Sequence, residues 1–212
     1  MTGILFDLDG TLLDTLDDLM DGVNYALTQF GYPMRTRQEI CRFVGNGAAN
    51  LLQRSVPRGA PWEKPLEVFQ AYYREHCQIK TAPYPGIPEA LAELKGRYPI
   101  AIISNKPDKA TKKLCAQYFP GIYAQGEIPG CPRKPAPDMV FHGMGQIGVD
   151  RCVYVGDSEV DVQTAQNAGV SCLSVLWGFR DEEEIRAAGG SRFCADPREL
   201  AAALENMMKE ME

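Results

Sequence analysis

The apolar run Ile4-Leu5-Phe6 breaks off into Asp7-Leu8-Asp9-Gly10-Thr11. Its composition is that of a buried strand. Side chains alternate along a strand, so Asp7 and Asp9 emerge on one side at its carboxyl end, and Gly10 lets the backbone turn away. Ligands of open parallel sheets bind at that end. Two carboxylates about 4 Å apart repel by roughly 4 kcal/mol at an effective dielectric of about 20, so a cation, a proton or both should intervene. Alone, a D-x-D pair serves equally as a turn and a helix cap, and the remainder of the chain has to decide.

Beyond this strand the periodicity changes. Leu16, Leu19, Met20, Val23, Leu27 and Phe30 recur at helical spacing up to Gly31. Thr36 and Glu39 have capping-box spacing for a second helix, a third follows Gly45-Asn46-Gly47, and a fourth spans about residues 61–78. Residues 81–88 carry three prolines, which suit an extended connection. Strands then alternate with helices: strands at 100–103, near 122, at 152–155 and at 171–176, with helices from 108, 136 and 159. That rhythm predicts an α/β fold with a Rossmann-like parallel sheet core. The core comprises residues 1–14 and 82–212, and a small helical domain, 15–81, is inserted after the first strand. From Pro197, the residues Leu200, Ala203, Leu204, Met207 and Met211 predict a closing packing helix.

The net charge of -6 argues against non-specific nucleic-acid binding but permits a local positive pocket. No apolar run of 18 residues occurs, so no membrane span is expected. The seven cysteines are scattered without a C-x-x-C pair, which points to reduced thiols rather than a disulfide framework or zinc site. Met1 leads directly into the first strand, and the expectation is a complete cytoplasmic protein, monomer or homodimer.

Three more stretches follow strands. Ser104-Asn105-Lys106 offers hydroxyl, amide and backbone donors at the sheet edge that carries Asp7. Arg133-Lys134-Pro135 precedes a helix, with Arg133 read as a solvated charge. Gly156-Asp157 and Asp161 end the series, with a cap at Asp157 and a solvated Asp161 as the alternative. In this order the four stretches resemble the motifs of haloacid dehalogenase-like hydrolases, most of which are magnesium-dependent phosphatases. The resemblance implies Asp7 as nucleophile and metal ligand, and Asp9 as acid and base with its backbone carbonyl on the metal. It implies Thr11, Ser104 and Asn105 as phosphate contacts, Lys134 as the neutralising cation, and Asp157 as a direct Mg2+ ligand. Asp161 would orient a metal-bound water or Lys134.

The same resemblance makes the helical insertion a cap over a small phosphorylated metabolite. Dehalogenases of the superfamily lack an Asp at position 9, which sets them aside. Phe43-Val44-Gly45-Asn46-Gly47-Ala48 is similar to the cap loop of phosphoglycolate phosphatases, and its backbone N–H groups suit a substrate carboxylate, although a plain tight turn is the other reading. The best expectation is a 2-phosphoglycolate phosphatase. A phosphomutase, a pyrophosphatase or nucleotide phosphatase, and a non-catalytic phosphometabolite-binding module stay open. His76 and His142 fall in helical patterns and are expected to be structural.

Overall fold

The computed structural model describes residues 1–210. The opening apolar run forms β1 (Thr2–Phe6) at the middle of a six-stranded sheet. β4 (Ile100–Pro107) and then β5 (Tyr123–Glu127) lie on one side of it. β6 (Arg151–Gly156), β7 (Ser171–Val175) and β8 (Phe193–Cys194) lie on the other. All neighbouring pairs are parallel. The chain departs from both sides of β1, so the carboxyl ends of β1, β4 and β6 border the crevice where open sheets place ligands.

A sheet buried on both faces needs apolar residues at successive positions, which is why β1 reads as a continuous run. Ile4, Phe6, Ile102, Val153 and Val155 face one core. Buried residues of α5 (Ile87–Lys95), α6 (Asp108–Tyr118) and α10 (Leu200–Lys209) complete that core. Leu5, Ala101, Ile103 and Tyr154 face the other, with α7 (Asp138–Ile147) and α8 (Glu159–Ala168). The short α9 (Glu182–Ala187) follows β7 and starts on an Asp181–Glu184 capping box.

Between β1 and β4 the chain runs through β2 (Leu13–Asp14), α1 (Leu16–Gln29), α2 (Arg37–Phe43), α3 (Gly47–Ser55), α4 (Glu63–His76) and β3 (Ala82–Pro83). The Thr36–Glu39 box caps α2 as its spacing suggests. Gly22 lets α1 approach α4: a Cβ there would sit 3.1 Å from the Phe69 ring. The outgoing and returning segments pair as an antiparallel ribbon, Leu13 with Pro83 and Asp14 with Ala82.

Three features depart from the sequence reading. The proline-bearing stretch is not extended throughout, because Pro88 falls in the first turn of α5, where its missing N–H costs nothing. β4 does not stop at Ile103 but continues through a bulge to Pro107. β2, β3, β8 and α9 were not foreseen, being too short to show a period. Met211, expected on the last helix, lies outside the described residues.

Asp18, buried on α1, fastens the returning segment by accepting from the backbone N–H of Lys80 at 3.0 Å and of Thr81 at 2.9 Å. Asp18→Ala leaves both donors unpaired. The expected cost is about 1–3 kcal/mol in denaturant unfolding, with faster amide exchange at residues 80 and 81.

Candidate active site

Past β1 the two aspartates part company. The carboxylate of Asp7 meets the Lys134 ammonium at 2.8 Å. That of Asp9 meets the Lys106 ammonium at 2.6 Å and accepts from the hydroxyls of Thr15 at 2.6 Å and Ser104 at 3.2 Å. The expected repulsion is thus answered by a separate lysine for each carboxylate as well as by any shared ion. Burial opposes ionisation of Asp9, but Lys106 and the two hydroxyls outweigh it and hold the carboxyl below its ordinary value.

β6 and α8 contribute the other acids. Gly156 ends the strand where a Cβ would lie 2.2 Å from the Asp161 carboxylate, so only glycine fits. Ser158 then starts α8 with Asp161 closing its capping box. One Asp161 oxygen accepts from Lys134 at 2.8 Å and Tyr154 at 3.0 Å, and the other from the Ser158 N–H at 3.1 Å and hydroxyl at 2.6 Å. Its acceptor capacity is spent on these four donors. Asp157 differs: each oxygen accepts one bond, from Thr11 at 2.9 Å and from the Phe179 N–H at 2.8 Å, leaving further lone pairs. Gly10, with φ of 85°, and Gly178 flank it closely, and a Cβ on either would come within 2.3 Å of its side chain.

Asp7, Asp157 and Asp161 place carboxylate oxygens within 4.8 Å of one another, a group that excludes Asp9. Against Lys134 the three leave two negative charges uncompensated, the charge that a divalent cation carries. Burial, together with Asp161 and Asp157, pushes the Asp7 carboxyl well above its usual range despite Lys134. Burial and Asp161 push Asp157 up to about 7. Oxygen donors, free lone pairs on Asp7 and Asp157 and the charge deficit fit Mg2+.

At the end of β4, alternation sorts three consecutive side chains. Ser104 and Lys106 both reach Asp9, while Asn105 between them turns the other way. The Asn105 amide accepts from the Lys134 N–H at 2.8 Å and donates to the Lys134 carbonyl at 2.9 Å and the Gly45 carbonyl at 3.1 Å. Three nearby carbonyls, two in that loop and one in α2, are also held. Arg180 donates to Val44 at 2.7 Å and to Cys41 at 2.8 Å, and Arg133 donates to Asn46 at 3.1 Å.

The cavity so enclosed measures about 60 Å³. Asp7, Asp9, Ser104, Asn105, Lys134, Asp157, Gly45 and Gly47 line it, and Thr11, Asn46 and Asp161 do not. The hydroxyl of Thr11, expected on phosphate, donates to Asp157, and the Thr11 carbonyl accepts from Trp177 at 2.9 Å. Asn105 borders the cavity but spends its amide on loops. Arg133, read as solvated, is half-buried and donates to the Asn46 carbonyl. Lys106, Tyr73 and Arg180 also border the cavity and were missed. For Lys106 the signal existed, since it stands two residues after Ser104 on the same strand; Arg180 lies outside every motif. Neither histidine borders the cavity, and all seven cysteines are unpaired.

The fold that positions these residues is shared with known proteins. The haloacid dehalogenase-like hydrolase family pattern matches residues 4–175, and the chain belongs to that family. It is 31% identical over 222 residues to the phosphoglycolate phosphatase of Pseudomonas savastanoi pv. phaseolicola, covering 98% of this chain and 81% of that protein. It is 29% identical to the N-acetylmuramic acid 6-phosphate phosphatase of Pseudomonas aeruginosa, covering 98% and 96%. Among solved structures, a protein from Lactobacillus delbrueckii subsp. bulgaricus, provisionally named a phosphoglycolate phosphatase, superposes with a TM-score of 0.90 at 36% identity, covering 95% and 97%. No helix among the described residues is long and apolar enough to cross a membrane.

The acidic cluster makes stability pH-dependent in a defined direction. Asp157 binds its proton up to about pH 7 in the folded chain but only to its ordinary 3.8 when unfolded. Its contribution is therefore complete at low pH and is lost as pH rises between those values. In melts without divalent cation, Asp157→Asn should gain on the wild type across this window. A difference independent of pH would contradict the assignment.

Proposed function

We propose that the protein is a magnesium-dependent phosphomonoesterase that works through an aspartyl phosphate, with 2-phosphoglycolate as its substrate. The carrying observation is the division of labour at one cavity: Asp7 sits on Lys134 beside Asp157, and Asp9 stands apart on Lys106. The first pair suits nucleophilic attack, the second proton transfer. Asp7 and Asp157, with the Asp9 backbone carbonyl as the family resemblance implies, would hold Mg2+, which would supply neutralising charge for the phosphoryl group.

An Asp7 oxygen forms a bond to phosphorus while the bond to the ester oxygen breaks, and Asp9 delivers a proton to the departing alkoxide. Water then attacks phosphorus, Asp9 takes its proton, and Asp7 is released. Lys134 holds Asp7 for attack and opposes the repulsion between two anions, and Asp161 keeps that ammonium in place. Ser104 lines the same cavity as a phosphate donor. To act as an acid, Asp9 first has to acquire a proton and loosen its ion pair with Lys106.

Residues 15–81 act in this reading as a cap over the cavity, joined to the core by the ribbon of β2 and β3. The relatives' names supply the substrate choice, phosphoglycolate ahead of N-acetylmuramic acid 6-phosphate, since several of the similar proteins carry the first name at slightly higher identity.

The test is phosphate release from a panel of these two esters, pyrophosphate, a nucleoside monophosphate and a hexose phosphate, with magnesium or with chelator. Chelator should abolish turnover, and Asp7→Asn should lower kcat by about 1,000-fold or more without unfolding the chain. Undiminished turnover by that variant would refute the nucleophile. Isomerised sugar phosphate without free phosphate would reveal a mutase.

A further inference from the structure

Phosphoryl transfer accounts for Asp7, Asp9, Ser104, Lys134 and Asp157, but it leaves two polar side chains on the cavity wall unexplained. Lys106 is 6% exposed, and besides Asp9 its ammonium lies 4.8 Å from the ring centre of Tyr73. Tyr73 comes from α4 and is 3% exposed, and its hydroxyl has no hydrogen-bond partner among the described residues. Buried tyrosine hydroxyls normally find one, and a cation beside an unpaired hydroxyl on a wall shared with Leu19, Leu51 and Phe69 is a costly arrangement with nothing to bind.

The other two cations of this cavity are committed. The Lys134 ammonium contacts Asp7, Asp161 and Tyr154. The Arg180 guanidinium is engaged by Glu159 and the carbonyls of Cys41 and Val44. An ammonium has three donors; Lys106 gives one to Asp9 and stands against Tyr73, so a donor of the ammonium and the proton of the Tyr73 hydroxyl are left without an acceptor.

We propose that Lys106 and Tyr73 form the subsite for a carboxylate on the leaving group and thereby set a preference for phosphate esters of small 2-hydroxy acids. This rests on the phosphatase reading. Asp9 meets the ester oxygen in that reaction, and the Lys106 ammonium stands one hydrogen bond, 2.6 Å, beyond Asp9. An anion reaching it stands two or three bonds from the ester oxygen, where a phosphorylated 2-hydroxy acid carries its carboxylate. Gly47 and Ala48, in the first turn of α3, border the same cavity and add the positive end of a helix. The apolar residues opposite leave a short acid room and exclude a long one.

The experiment compares kcat/KM for 2-phosphoglycolate and for 2-hydroxyethyl phosphate, which carries an alcohol in place of the carboxylate, in the full chain with magnesium. The readout is the ratio of the two, from which any loss common to both esters, such as a disturbed Asp9, cancels. The wild type should favour the acid. Lys106→Met should reduce that ratio by about 30-fold, chiefly through KM for the acid, and Tyr73→Phe by about 3-fold to 10-fold. Tyr73→Phe removes only an unpaired hydroxyl and carries the test if Lys106→Met fails to fold. An unchanged ratio in the variants would overturn the subsite and leave Lys106 as a partner of Asp9 alone. Equal use of both esters by the wild type would overturn it while the phosphatase reading stands. No release from any ester would overturn both.

Discussion

The Lys134 ammonium is the contact on which the rest of the site depends. Removing an ammonium from water costs several kcal/mol, and at 2% exposure Lys134 keeps almost no hydration. Asp7 and Asp161, both at 2.8 Å, return that loss, and each comes from a different part of the sheet edge. Asp161 is fixed by the start of α8, Asp7 by the ladder between β1 and β6. One charge thus ties the ends of two strands, a helix and the loop before α7 into a single rigid unit. It also leaves an excess of acid that favours a divalent cation.

Much of this was legible from the chain because its chemistry is carried by short stretches. A strand that ends in D-x-D-G-T, a lysine before a proline-marked helix start and a Gly-Asp after a strand are each ambiguous alone, and their order along the chain is what made them readable. Asp7, Asp157, Lys134 and Asp161 do converge at one cavity or immediately behind it. The family match over residues 4–175 agrees with the α/β architecture read from the strand and helix rhythm.

What escaped notice depends on meetings between distant segments. β4 runs on past Ile103, and ordinary alternation along it puts Lys106 on the same side as Ser104, against Asp9. The resemblance alone implied Thr11 as a phosphate contact, and no local pattern announces that its hydroxyl donates to Asp157 across 146 positions of sequence. Arg180 and Arg133 have ordinary sequence surroundings, and besides the Glu159 carboxylate on Arg180 they hold backbone carbonyls of α2 and its following loop, which no side-chain pattern advertises. The β2 and β3 ribbon is two residues long on each side, below any detectable period.

The hold on residues 44–46 has a consequence for how such a protein can diversify. Asn105, Arg180 and Arg133 grip this loop solely through main-chain carbonyls, which every amino acid supplies. These contacts do not read side chains, so what constrains the loop is conformation and packing: Gly45 holds a φ of 120° and Val44 is buried in the core. Asn105 is constrained differently, since the same amide braces the Lys134 backbone and alteration would disturb reactivity and enclosure together. Novel specificities in descendants of this chain should therefore arise by exchange on the inner faces of α3 and α4, with the clasp inherited intact.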